Sequence, residues 1–145
     1  MLYLIRGQHR NKVVVDRYVC NLIKALKLHR LSKKFLVIDF KTSLEEGENG
    51  VLGFCLGDKD RADIEIARTL YGEKLSFMEQ MNTIAHEMVH AKQYFRGELM
   101  YGDGGDFKWK KRNAGGYKYE NQPWEKEAFR RESELFMECF PFDMM

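Results

Sequence analysis

The sequence predicts an α+β domain, and three observations carry that expectation. A helical apolar period lies near the N-terminus, short strand-like segments fill the middle, and two well-marked helices follow them. The chain has 145 residues, the length of one domain with a core large enough to need no disulfide staples. Its apolar fraction, 44%, is ordinary for a globular protein, and its charged residues, 32%, nearly cancel to a formal +2. So balanced a chain has no overall field drawing it to nucleic acid or a membrane surface; only a local patch could do that. Cys20, Cys55 and Cys139 are an odd number with no close pair. That excludes a zinc ribbon and a C-x-x-C redox site, and it argues against a secreted disulfide framework. Met1 to Arg6 holds too few apolar residues for a signal h-region, and no stretch approaches a membrane span. The expected setting is a reducing cytosol, the protein's own or that of a host cell, with no membrane partner.

Val15, Tyr18, Val19, Leu22, Ile23 and Leu26 recur at three- and four-residue steps, which predicts an N-terminal helix between polar Gln8–Arg10 and basic Lys33–Lys34. The apolar run Phe35 to Phe40 reads as a buried strand, and Glu45 to Gly50 as a loop by composition. Val51 to Leu56 and Ala62 to Arg68 read as two strands of a hairpin joined by Gly57-Asp58-Lys59-Asp60. In the second strand Asp63, Ile64, Glu65 and Ile66 alternate, which gives it one wet face and suggests a place at the sheet edge. Ser76 to Phe95 is the best-marked helix: Ser76 and Glu79 form a capping box at its start, and Gly97 stands just past its end. Residues 98–122 lose all periodicity and collect glycine, aromatics and basic residues. A last helix opens at Pro123, with Glu125 in its first turn, and runs through Ala128, Leu135, Phe136 and Cys139 to Pro141. No repeat or linker divides the chain, so one domain over 1–145 is expected: an N-terminal helix, a small mostly antiparallel sheet, an active-site helix and a C-terminal helix.

The chemistry is carried by His86-Glu87-Met88-Val89-His90, an H-E-x-x-H pattern. Positions four apart on a helix lie one above the other, so both imidazoles can reach a single metal. Zinc takes neutral imidazole at about 2.0–2.1 Å, and a catalytic site keeps one position open for water. Glu87, turned about 100° from His86, falls beside that open position and can accept the water's proton. Phe77, Met81, Ile84, Ala85 and Met88 form one stripe of the same helix, with His86 and His90 roughly opposite. The bland alternative is two surface histidines beside a chance glutamate. A catalytic zinc needs a third protein ligand. Since no histidine follows His90, a carboxylate is expected, with Glu125, Glu127, Asp103 and Asp106 as candidates.

The pairing of H-E-x-x-H on one helix with Glu127-Ala128 on a following helix resembles the gluzincins. At this length the chain is similar to their minimal members and to short zincin-like proteins encoded by bacteriophages. The resemblance covers residues 62–136 and implies a zincin-like fold, one Zn2+, and metallo-endopeptidase activity on peptide or protein substrates. It maps the glutamate directly before the alanine, Glu127, onto the third ligand. His90 and Glu127 have 36 residues between them, more than in compact gluzincins. The resemblance also implies an antiparallel edge strand that holds extended substrate above the active-site helix, and Ala62 to Arg68 occupies the matching place in the chain. An interior strand is the alternative.

Phe107-Lys108-Trp109-Lys110-Lys111-Arg112 leads into Gly115-Gly116-Tyr117-Lys118-Tyr119. Basic residues interleaved with aromatics, over 106–119, suit nucleic-acid phosphates and bases. They equally suit an active-site lid whose Tyr117 or Tyr119 donates to an oxyanion, or a solvated loop whose rings tuck against the last helix. The residue pattern thus points to metal-assisted hydrolysis with Glu87 as general base. The competing expectation is a nucleic-acid-associated binding protein with a structural or vestigial zinc, and a zinc amidase acting on a non-protein bond is a third.

Overall fold

A computed structural model describes residues 1–44, 50–101 and 107–145. It opens with strand β1 (Leu2–Arg6), helix α1 (Lys12–Ala25) and strand β2 (Phe35–Lys41), followed by β3 (Gly53–Gly57) and β4 (Arg61–Ala67). These four strands form one sheet in the order β1-β2-β4-β3. The pairs β1–β2 and β2–β4 are parallel, and only β3–β4 is antiparallel.

The architecture is α+β as expected, but the mostly antiparallel sheet is corrected to a mixed one. The physical reason lies in the connections. Helix α1 carries the chain back over the sheet, so β2 restarts in the direction of β1. The β3–β4 hairpin then returns β4 beside β2. Strand β1 was not foreseen, because Leu2-Tyr3-Leu4-Ile5 is apolar on both faces and too short to show a period. Strand β4, the expected edge, lies in the interior, and β3 holds that edge instead.

The alternation that suggested an edge has another cause. Ile64 and Ile66 of β4, with Leu36, Ile38 and Phe40 of β2, face the core that receives all three helices. Asp63 and Glu65 face the other side of the sheet, which carries no helix. There Leu2, Leu4, Phe54 and Leu56 are exposed. A sheet covered on one face reads as alternating even in its interior strands.

Two short strands, β5 (Thr69–Leu70) and β6 (Glu73–Lys74), lead to helix α2 (Phe77–Phe95). The Ser76 hydroxyl accepts from the Glu79 N–H, and the Glu79 carboxylate accepts from the Ser76 N–H, so both halves of the capping box form. At the other end Gly97 takes φ +70°, with Gly97 N–H donating to Tyr94 O and Glu98 N–H to Gln93 O. This is the paired closure in which a left-handed glycine satisfies the last carbonyls of a helix. A three-stranded meander follows: β7 (Leu99–Tyr101), β8 (Phe107–Trp109) and β9 (Arg112–Asn113). Its strands of two or three residues are too short to write a pattern, which is why 98–122 looks aperiodic. Helix α3 (Pro123–Cys139) starts with Pro123 in its first turn and packs along α2. Of the Glu45 to Gly50 loop, only Gly50 lies among the described residues. No helix among them is long and apolar enough to cross a membrane.

Candidate metal centre

Helix α2 is sandwiched, with the sheet against one side and α3 against the other. Met81, Ile84, Ala85 and Met88 enter the core. His86 and His90, on the far side of the helix, are turned toward α3 and are themselves buried, 8% and 5% exposed. The first turns of α3 deliver Glu125 between them. His86 Nε2 lies 2.9 Å from Glu125 Oε1, and His90 Nε2 lies 3.0 Å from Glu125 Oε2. One ligand atom from each of the three residues falls within 4.8 Å of the others, a grouping that could hold a metal ion.

The other ring nitrogens show which tautomers these histidines adopt. His86 Nδ1 is 3.0 Å from Glu132 Oε2, and His90 Nδ1 is 2.8 Å from Gln93 Oε1. Both partners are acceptors, so each Nδ1 carries a proton, and a ring that is neutral turns its Nε2 lone pair toward Glu125. Two lone pairs facing one carboxylate at about hydrogen-bond range repel unless positive charge intervenes. His90 Nε2 is buried and makes no hydrogen bond, despite its closeness to Glu125. Either both rings are imidazolium, or a cation sits among the three groups. The donor set of two imidazoles and a carboxylate fits zinc and leaves a position open.

The carboxylate that lies against the two histidines is that of Glu125, not of the Glu127 that the resemblance implied. Glu127 faces away from the centre: its carboxylate accepts from Gln93 Nε2 at 2.8 Å and Lys92 Nζ at 3.0 Å, and pairs with Arg131 at 3.5 Å. The difference is helical geometry, since two residues along a helix swing a side chain about 200° around its axis. Asp103 and Asp106 lie outside the described residues. Glu132, seven residues after Glu125 and so on the same face of α3, was not foreseen. Gln93, three after His90 on α2, was missed as well. Both spacings are visible in the sequence once α3 is aligned on α2.

Glu87 stands beside the three ligand groups, 5% exposed, and lines the same cavity of about 320 Å³. No hydrogen bond or ion pair engages its carboxylate among the described residues. Burial pushes its pKa up to about 7; the two histidines oppose that shift, while Glu125 and Glu132 add to it. A carboxyl group poised near neutrality suits proton transfer. For Glu125 burial also works against ionisation, but contact with His86 and His90 outweighs it and holds the group at about 2. Burial disfavours charge on both imidazoles, yet contact with Glu125 and the field of Glu87 raise them above the usual histidine range. Glu127 is likewise opposed by burial and lowered on balance by its bonds to Gln93 and Lys92.

The cavity is roofed by β3. A Cβ at Gly53 would fall 2.8 Å from Thr83 Cγ2, 2.9 Å from Glu65 O and 3.4 Å from Glu87 Cγ. Only glycine lets the edge strand lie this close to the base of Glu87. Tyr119 also lines the cavity, and its hydroxyl donates to Glu125 Oε1 at 3.3 Å. Tyr117 instead meets the Trp124 ring edge-on at 6.4 Å and is half exposed. The rings of the basic segment are similarly engaged. Phe107 and Trp109 pack on Trp124 at 5.3 and 6.1 Å, around a small second core with Tyr94, Leu99 and Ala114. Lys108, Lys110, Lys111 and Arg112 are left exposed. A larger cleft, about 820 Å³, opens on the helix-free face of the sheet beside Asp39, Phe54 and Leu56, and includes none of His86, Glu87, His90 or Glu125.

Comparison of the chain with protein-family models, with curated proteins and with solved structures finds no match.

Proposed function

We propose that the protein is a zinc-dependent hydrolase, a metallo-endopeptidase similar to the small gluzincins. His86, His90 and Glu125 are its protein ligands, and Glu87 is its general base. The observation that carries this reading is the convergence of two Nε2 atoms on one carboxylate beside a buried glutamate that makes no hydrogen bond or ion pair among the described residues. Among the described residues three groups rather than four converge, which favours a catalytic centre over a structural one. When bound, zinc supplies Lewis acidity at a carbonyl oxygen and lowers the pKa of an adjacent water. Glu87 accepts a proton from the water that attacks the carbonyl carbon, then delivers it to the leaving amine nitrogen as the C–N bond breaks. Tyr119 is placed to donate to the oxyanion if its hydroxyl leaves Glu125 on substrate binding. The free edge of β3 beside Glu87 supports an extended peptide as substrate, added as a further strand. The nucleic-acid reading has less support, because the rings that would stack on bases are already packed against Trp124.

The test pairs elemental analysis with the Glu87→Gln variant, which keeps size and hydrogen bonding but removes the basic carboxylate. Wild type should hold about one zinc per chain and cleave unfolded protein substrates. Glu87→Gln should keep its zinc while turnover falls about 10²–10⁴-fold, the typical worth of a general base. Equal cleavage by both would remove Glu87 from its role. A wild type that holds no zinc would remove the whole reading.

A further inference from the structure

We infer that Gln93 and Glu127 are positioning residues that fix which ring nitrogen of His90 faces the metal. The inference rests on the metal centre proposed above and assigns a role to the glutamate that resembled a ligand but is not one.

Gln93 is completely buried, so every polar atom of its amide must be satisfied within the protein. Its Nε2 donates to Trp124 O at 3.0 Å and to Glu127 Oε1 at 2.8 Å. A backbone carbonyl and a carboxylate can only accept, so both require the NH₂ end of the amide to face α3. The amide oxygen is thereby left facing His90, and an oxygen there requires a proton on Nδ1. A proton on Nδ1 leaves Nε2 of the neutral ring as a lone pair. Were the amide reversed, its NH₂ would face Nδ1 and demand a lone pair there; the proton would move to Nε2, the atom that must coordinate. Glu127, together with Trp124 O, therefore sets the His90 tautomer from two hydrogen bonds away. It is itself held in place by Lys92 and Arg131, and Lys92 is shared with Glu98 at 2.7 Å.

His86 has no such intermediary. Glu132 accepts from its Nδ1 directly, and a carboxylate can take only the acceptor role. The two ligand histidines are thus oriented by independent supports, one a carboxylate and the other an amide whose sense must be imposed. Outer partners of this kind set ring orientation and ligand basicity in metal sites.

The test measures zinc affinity of the full-length protein by competition with a chromophoric chelator, and two-bond ¹H–¹⁵N correlations of the zinc-loaded histidine rings. Gln93→Leu should weaken zinc binding about 10–100-fold, the usual cost of losing such a partner. Glu127→Ala should cost less, since Trp124 O still holds the amide. Glu127→Gln, which keeps an acceptor, should cost least. The His90 Nδ1 proton should become fast-exchanging in Gln93→Leu while that of His86 is unchanged, a pattern that general loosening of the fold would not give. Wild-type zinc affinity in Gln93→Leu, or loss of both ring protons together, would overturn the inference and leave the metal centre standing. If Glu127→Gln lost zinc as completely as Glu125→Gln, Glu127 would be a ligand after all, which also overturns it. A wild type that binds no zinc would bring down the metal reading itself and this inference with it.

Discussion

The two regions that meet at Trp124 are held together by different forces. On one side the α2–α3 interface carries directional contacts among buried and half-buried polar groups: Glu132 on His86, Gln93 on His90, and Glu127 on Gln93. On the other side the β7–β9 meander is held by rings. Phe107 and Trp109 lie against Trp124, and Tyr94 and Leu99 close the cluster. Buried hydrogen-bonded groups specify one arrangement, because any other leaves a partner unsatisfied at a cost of roughly 1–3 kcal/mol. Ring contacts tolerate sliding and repacking. Chemistry that needs ligand atoms fixed to fractions of an ångström therefore belongs in the first region, and a cover over the site can be built from the second.

If that contrast is right, the largest effect should come from the polar side. Glu125→Ala removes one of the three groups that could hold a metal, and with it the negative charge that a cation beside the two Nε2 atoms would balance. Zinc content after gel filtration should fall to background, while circular dichroism of α2 and α3 is retained. Glu127→Ala should keep measurable zinc in the same assay. The opposite ranking would place the ligand two residues further along α3 and undo the geometry above.

The ring side should respond in stability rather than in metal content. Trp124 is 4% exposed and supports both Phe107 and Trp109. Trp124→Ala should cost about 3–5 kcal/mol, as large aromatic truncations in cores do. Its backbone carbonyl, the acceptor for Gln93, survives the substitution. Below the melting transition, zinc affinity should therefore drop far less than in Gln93→Leu. Equal losses of affinity would mean that the meander and the ligand layer are one unit, and the contrast would fail.

The same difference decides what could be read from the sequence. Helix α2 was legible in full because its signals are local: the Ser76–Glu79 cap, the Gly97 stop and the apolar stripe all lie within one element. The H-E-x-x-H pattern was legible because its geometry needs nothing but a helix. The candidates for a third ligand were four carboxylates, Glu125, Glu127, Asp103 and Asp106, and the choice between the two glutamates depends on the rotation of α3 against α2, a tertiary quantity that no local pattern encodes. The resemblance pointed to Glu127, and the packing of α3 gives Glu125 instead. Parallel pairing was hidden for the same reason: strand direction is set by what α1 does between β1 and β2, not by the strands' own residues. In β4 a real signal, the Asp63–Glu65 alternation, was assigned to an edge when its cause is a helix-free sheet face. The meander could not be read because its strands, of two or three residues, are too short to repeat even the two-residue strand period, and its stabilising partner, Trp124, is contributed by the next helix.

The smallest expected effect lies at the tip of the meander, where Lys110 and Lys111 join β8 to β9. Trp109 pairs with Arg112, so these two lysines form the whole turn, and both are left-handed, with φ of +50° and +71°. A two-residue hairpin turn with φ positive at both positions matches the right-handed twist of its strands, and it favours Asn-Gly. A lysine held there carries a penalty of roughly 1–2 kcal/mol, because its Cβ crowds the neighbouring carbonyl. Glycine relieves that crowding but loses more freedom on folding, roughly 0.5–1 kcal/mol. Lys111→Gly should therefore stabilise the protein by about 0.5–1 kcal/mol, the difference of those two amounts. For a chain of this size that is a rise of about 1–4 °C in melting temperature. Lys111 makes no ion pair among the described residues, so no lost contact should mask the gain. Zinc affinity and the Glu87-dependent turnover should not move, since Lys111 bonds to none of the supports among the described residues and the substitution leaves the Lys110 N–H on Glu98 O. A fall in melting temperature would show that the lysine side chain stabilises the tip by more than its backbone costs. A change in turnover at constant zinc would mean that the meander takes part in catalysis, and the division between a fixed polar layer and a tolerant aromatic cover would have to be given up.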